Sequence, residues 1–184
     1  MDKAVSGENV VSEELQKLDS AHYMVLNDFL LPSRGSLGTT QVDHIVVSNY
    51  GIFCIETKAH KGWIFGSSNQ EYWTQVIFKH KERFYNPLRQ NYSHVKAVEE
   101  LVKSKYPKTK IFSLVVFTDA DKLKITGTDL VGFASDIVRK IESFTAVIFS
   151  DIGRDEICEM LTNANIADTE VRRLHNQGAR ELKK

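Results

Sequence analysis

Residues 41–58 read QVDHIVVSNYGIFCIETK: two apolar runs around a Ser48-Asn49-Tyr50-Gly51 turn, with Asp43, Glu56 and Lys58 set in or beside them. The runs have the β-branched and aromatic content of paired strands. Isoleucine and valine stand close to Asp43, and Phe53 and Ile55 precede Glu56. Both strands therefore read as interior rather than as a solvated edge. An ionised carboxylate in such a place costs several kcal/mol unless something compensates it. Side chains two apart on a strand share a face, so Glu56 and Lys58 project together, and cross-strand partners share a face as well. A two-residue loop (Asn49-Tyr50) or a four-residue loop (48–51) sets Asp43 opposite Glu56. A three-residue loop sets Thr57 there instead, unless a bulge restores the register.

In the first register two carboxylates and an ammonium converge, and two readings stand side by side. One is a salt bridge at a sheet edge. The other is a divalent cation, Mg²⁺ or Mn²⁺, since hard cations take carboxylate and carbonyl oxygens. On that reading Asp43 and Glu56 are ligands and the Thr57 carbonyl is a further one. Lys58 then lies where it stabilises the extra negative charge of a phosphoryl transition state.

Outward from the hairpin, Ser6 is the expected cap of a helix over 7–19, with Val10, Val11, Leu15 and Leu18 at helical spacing. An extended run, HYMVLNDFLL, follows it, and 32–40 is a turn-rich loop. After the hairpin, WIF (63–65) and EYWTQVIFKH (71–80) read as strands, with a turn at Lys81-Glu82 leading into RFY. Asn86-Pro87 starts a helix that runs to about Tyr106. IFSLVVFT (111–118) and TAVIFS (145–150) read as buried strands joined by a helix capped by Ser135, a parallel crossover. Two more helices are expected near 153–163, capped by Asp151, and 168–182. The fold class is α/β, a mixed β-sheet flanked by α-helices.

The chain has 184 residues, 24 basic against 24 acidic side chains, and a formal net charge of zero. That length suits one domain, 1–184. Zero net charge provides no global field for a polyanion, so a nucleic acid needs a local patch or metal ions. Two cysteines make no disulfide framework, and the Cys and His spacings fit no zinc set. MDKAVSGENVVSEE lacks the apolar segment of a signal peptide, and no apolar run approaches the ~18 residues of a membrane span. A cytoplasmic setting is the default expectation, with no membrane partner.

These residues carry a resemblance. TQVDHIVVSNYGIFCIETK, then Trp73, then NPLRQNYSHV (86–95), with Gly7-Glu8 upstream, resembles the nuclease-related domain, a branch of the PD-(D/E)xK restriction-endonuclease-like superfamily. The likeness runs from about 7 to 118 and leaves 119–184 as a C-terminal α/β extension. It implies a restriction-endonuclease-like fold and a Mg²⁺-dependent (or Mn²⁺-dependent) nuclease acting on nucleic acid, DNA in the first place. The implied ligands are Asp43 and Glu56, the implied catalytic lysine is Lys58, and Glu8 and Gln90 match the supporting glutamate and glutamine. Val42 stands where the superfamily name has proline. The alternative is a nucleic-acid-binding or docking module, weak or inactive as a catalyst, on the same fold.

Other residues have plainer readings beside functional ones. Glu8 suits a helix N-terminus. Gln90 and His94, i and i+4, share a face of their helix. His44 reads as a packed core histidine, and His60 follows Lys58 by two. Lys79, Lys81, Arg83 and Arg89, with His80 and Tyr85 between them, form the best basic patch for phosphates, or else a solvated hairpin tip. Trp63 and Trp73 read as core.

Overall fold

The computed structural model describes residues 3–182. Helix α1 (Lys3–Leu15) leads into β1 (Tyr23–Pro32), β2 (Thr39–Ser48), β3 (Gly51–Lys58), β4 (Gly62–Ser67), β5 (Tyr72–Ile77) and β6 (His80–Tyr85). Helix α2 (Pro87–Val102) follows, then β7 (Ile111–Phe117), β8 (Ala120–Thr126) and β9 (Val131–Phe133). A 3₁₀ turn (Ala134–Asp136), α3 (Ile137–Glu142), α4 (Asp151–Ala164) and α5 (Thr169–Glu181) complete the chain. The expected α/β class is what the chain adopts, in two mixed sheets rather than one.

The first sheet runs β1-β2-β3-β7-β9 and the second β6-β5-β4-β8. β1, β2 and β3 are antiparallel neighbours, while β7 lies parallel to both β3 and β9. Ser48 pairs with Gly51, so the turn is the two-residue loop Asn49-Tyr50. Gly51 sits at φ +139, and a Cβ there would lie 2.7 Å from the Phe112 ring, so only glycine fits.

Alternation divides the hydrophobic residues between the two faces of this sheet. Ile45, Val47, Ile52 and Cys54 pack with Ala97, Val98 and Val102 of α2 and with Ile157 and Leu161 of α4. Val46, Phe53, Ile55 and Val116 pack with Val11 and Leu15 of α1 and with Ile137 and Ile141 of α3. Each such aliphatic side chain, fully buried, contributes roughly 1.5–3 kcal/mol. Ile64 and Trp73 of the second sheet meet Val115 and Phe117 of β7, which ties the two sheets together beside the end of β3. Gly66 makes room there: a Cβ on it would fall 2.4 Å from the Trp73 ring.

Several expectations are corrected. Residues 145–150 form no strand; the Ile148 and Phe149 amides both donate to the Asn49 carbonyl at 2.7 and 3.0 Å, which docks the segment across the β2–β3 turn. The parallel partners of β7 are β3 and the short β9, so no crossover runs from 111 to 145. β6 begins at His80, so the hairpin turns at Phe78-Lys79 and not at Lys81-Glu82. Ser6 lies inside α1, which ends at Leu15. Ser135 lies in the 3₁₀ turn and caps nothing. Ser150, not Asp151, caps α4, its hydroxyl accepting from the Gly153 amide. α2 stops at Val102, short of Tyr106. The Asn86 side chain accepts from the Leu88 amide, with Pro87 in the first turn, as the sequence suggests. Among the described residues no helix is long and apolar enough to cross a membrane.

Candidate active site

The two-residue turn sets the register that decides the site. His44 pairs with Ile55, and one step on Asp43 faces Glu56. The ladder stops there because the Thr57 amide donates to Asp43 Oδ2 at 2.8 Å, so a carboxylate takes a donor that a strand carbonyl would otherwise receive. β3 lies between β2 and β7, and Glu56 is only 2% exposed.

Glu56 is held from two sides. Lys58 Nζ donates to Oε1 at 2.6 Å and to Gln90 Oε1 at 2.9 Å. His94 Nε2 lies 3.1 Å from Oε2, and His94 Nδ1 lies 2.7 Å from Thr40 Oγ1. An ionised carboxylate only accepts, so His94 Nε2 donates to Glu56 while Nδ1 is bonded to the Thr40 hydroxyl. Burial alone would raise the Glu56 carboxyl; the Lys58 ammonium, then His94, overcome it and pull it down to about 2. Asp43 goes the other way. Burial first, then the Glu56 carboxylate, with Glu8 adding to both, push its carboxyl well above the usual range against the Thr57 amide and Lys58. The site thus holds more negative charge than its one ammonium offsets.

Glu8 reaches this neighbourhood through Gly7. A Cβ at Gly7 would lie 3.2 Å from Ala59 Cβ and 3.3 Å from Thr118 Oγ1, so glycine lets α1 approach the end of β3 closely. Asn91 adds a clamp that has no periodic signature in the sequence. Fully buried, its Nδ2 lies 2.9 and 3.0 Å from the Cys54 and Leu114 carbonyls, joining β3 to β7 beneath α2. Thr40, three residues before Asp43 and on the same strand, is likewise not among the expected site residues. His94 was marked only by its spacing from Gln90.

The donor set fits a divalent cation. Two carboxylates meet at the end of one β-hairpin, one of them pushed up by burial and then by the other, and a cation between them would offset that repulsion. One that keeps part of its hydration shell needs only one or two carboxylates from the protein. Among the described residues no group of three or more His, Cys, Asp and Glu side chains is placed to hold a metal ion, so a cation here would rest on two carboxylates, a backbone carbonyl and its own water.

The remaining residues separate. His44 is buried and lies 2.8 Å, through Nδ1, from the Asn27 carboxamide oxygen. His60 packs on Phe84 at 4.3 Å, and burial, then Lys58, hold it down near 4. Of the expected basic patch, Lys79 sits at the hairpin tip, Lys81 and Arg83 lie along β6, and Arg89 at the start of α2 donates to the Asn69 carbonyl at 3.1 Å. Trp73 is core, whereas Trp63 is 44% exposed, against expectation.

Compared with known proteins, the chain matches over residues 3–118 the family described as the nuclease-related domain. An uncharacterized protein of Bacillus anthracis is 35% identical over 188 residues, which cover 97% of this chain and 87% of that one. The match to the crystal structure of a protein of unknown function, AF1548, covers 96% of this chain and 96% of that one at 9% identity, with a TM-score of 0.34.

Proposed function

The chain belongs to the nuclease-related domain family, and on that premise we propose that it is a Mg²⁺- or Mn²⁺-dependent nuclease that hydrolyses phosphodiester bonds in nucleic acid, with DNA as the expected substrate. The observation that carries the reading is the fully buried Glu56 beside Asp43, with the Lys58 ammonium 2.6 Å from one Glu56 oxygen. A structural ion pair accounts for Glu56 and Lys58 but leaves Asp43 as a second acid with a raised affinity for its proton.

Asp43, Glu56 and the Thr57 carbonyl would hold the cation, with Glu8 in support. The cation, when bound, supplies Lewis-acid stabilisation of the phosphoryl charge and polarises water for attack. Lys58 brings a fixed ammonium to the phosphoryl oxygens, where charge grows as water adds to phosphorus and the ester oxygen departs. Gln90 accepts from Lys58 and sets where the ammonium points. His94, itself bonded to Thr40, holds Glu56 in one orientation, as supporting hydrogen bonds do for metal-ligating carboxylates.

One observation favours the alternative of an inert binding module: both Glu56 oxygens already have protein donors. The test compares wild type with Asp43→Ala and Lys58→Ala. Mn²⁺ should raise the melting temperature of wild type but not of Asp43→Ala, and DNA should be cleaved by wild type alone. A cation that shifts both proteins equally, or cleavage by Lys58→Ala at the wild-type rate, removes the proposed roles.

A further inference from the structure

The second sheet has one face that the fold does not use. Ile64, Trp73, Phe84, Leu123 and Ile125 point inward to the junction with β7, so by alternation their neighbours point out. On β4 these are Trp63 and Phe65, with ring centroids 6.2 Å apart. The β8 residues paired with them are Lys122 and Lys124, whose amines each lie 5.0 Å from the Trp63 ring centroid. Tyr72 of β5 pairs with Tyr85 of β6, rings 5.9 Å apart, and the Arg83 guanidinium lies 4.9 Å over Tyr72. Lys81 occupies the next outward position on β6.

The other outward positions are Thr74, Val76, Ser67 and Thr126, and the acid nearest this face is the exposed Asp121, at the bulge where β8 enters the sheet beside Gly62. Among the described residues none of Lys81, Arg83, Lys122 and Lys124 makes an ion pair. A chain of zero net charge therefore gathers four cations without an ion-pair partner and four exposed or half-exposed aromatic rings on one sheet face.

From this we infer that the outer face of the β6-β5-β4-β8 sheet binds single-stranded nucleic acid, its bases stacked on Trp63, Phe65, Tyr72 and Tyr85 and its phosphates held by the flanking amines. Charge complementarity selects a polyanion, and exposed rings select one whose bases are unpaired, because paired bases in a duplex have no free face to stack. Arg83, Lys122 and Lys124 lie within about 5 Å of the rings, so a nucleotide that stacks brings its phosphate close to a cation. Trp63 follows Lys58 by five residues, which limits their separation to about 18 Å, so a strand on this face can extend to the acids at the end of β3. As a statement about substrate form this rests on the nuclease reading; as a statement about binding it does not.

The test titrates the full chain into a labelled thymidine dodecamer, a duplex of the same length, and vesicles of anionic and zwitterionic lipid, all in EDTA so that nothing metal-dependent is cut. The dodecamer should bind and quench the exposed tryptophan. Trp63→Ala should weaken it by about 5- to 150-fold, the range for loss of one stacked base, and Trp63→Phe should restore most of the affinity. Lys122→Ala with Lys124→Ala should reduce the salt slope by about 1.4. Dodecamer affinity unchanged by Trp63→Ala overturns the inference, as does duplex binding of equal strength with the same residue dependence. Vesicle binding through Trp63 without dodecamer binding reassigns the face to membranes and overturns it too. Cleavage with Mn²⁺ separates the two readings. Single-strand cleavage lost in Asp43→Ala but indifferent to Trp63→Ala sinks the face and keeps the nuclease. Trp63-dependent binding by a protein that cuts nothing does the reverse.

Discussion

Replacing Lys58 by methionine keeps most of the side-chain volume and removes the ammonium that faces Glu56. Glu56 stays buried and keeps only His94 as a charged or hydrogen-bonding partner. Its carboxyl is pulled from 4.5 to about 2 against burial, by Lys58 and then His94. At 1.36 kcal/mol per pKa unit, that net depression corresponds to roughly 3 kcal/mol left over after the two partners have overcome the burial penalty. Lys58 is the larger of them, so Lys58→Met should lower stability by about 2–3 kcal/mol at pH 7, near the lower end for breaking a buried pair. The pH dependence follows from the sign of the shift. A depressed carboxyl contributes stability that is present above its unfolded value of 4.5 and is lost as pH falls through about 2. The gap between wild type and Lys58→Met should therefore be full at pH 6–7 and shrink steadily below about pH 4.5. Urea unfolding of both proteins across pH 3–7 measures it. A gap under about 0.5 kcal/mol at pH 7, the size of an ordinary surface change, or one that does not narrow in acid, would refute the claim that Lys58 compensates Glu56.

Three further outcomes are expected. Asp43→Asn should raise thermal stability at neutral pH without metal, by roughly 0.5–2 kcal/mol, because it removes a carboxylate that Glu56 repels while keeping an acceptor for the Thr57 amide; the Mn²⁺-induced shift in melting should vanish with it. Gly66→Ala should cost about 1–3 kcal/mol in chemical denaturation, since its methyl would fall 2.4 Å from the Trp73 ring. Phe78 stands at φ +53 on the hairpin tip and is 97% exposed, so Phe78→Asn should stabilise by about 1 kcal/mol by easing a left-handed backbone; a melting temperature that falls instead would show that the ring holds the turn.

Much of the candidate site is legible from residue order because its parts are local. Asp43, Glu56 and Lys58 lie on one hairpin, where strand periodicity and a two-residue turn suffice to bring them together. Asn86-Pro87 carries its own helix signal, and with it the placement of Gln90 and His94 on one face. The exposed face of the second sheet is legible only in part. The alternation of ADKLKIT, with Leu123 and Ile125 against Lys122 and Lys124, is a strand signal; Trp63 reads as core because large aromatics usually are. The misread stretch, TAVIFS, has the composition of a buried strand, yet its backbone donors go to Asn49, a hundred residues away in the chain, instead of to a neighbouring strand.

The sequence by itself determined the α/β class, the acidic hairpin and the helix that covers it, because each follows from periodicity, turn chemistry and capping within a few residues. Only the tertiary structure decided that Lys58 is shared between Glu56 and Gln90, that His94, bonded in turn to Thr40, holds the second Glu56 oxygen, and that Gly7 brings Glu8 close to Asp43. It also decided that β8 aligns its lysines with Trp63. These are contacts between segments far apart in the chain. Their partners are chosen by which apolar faces pack together, and the order of residues along any one strand or helix carries no record of that choice.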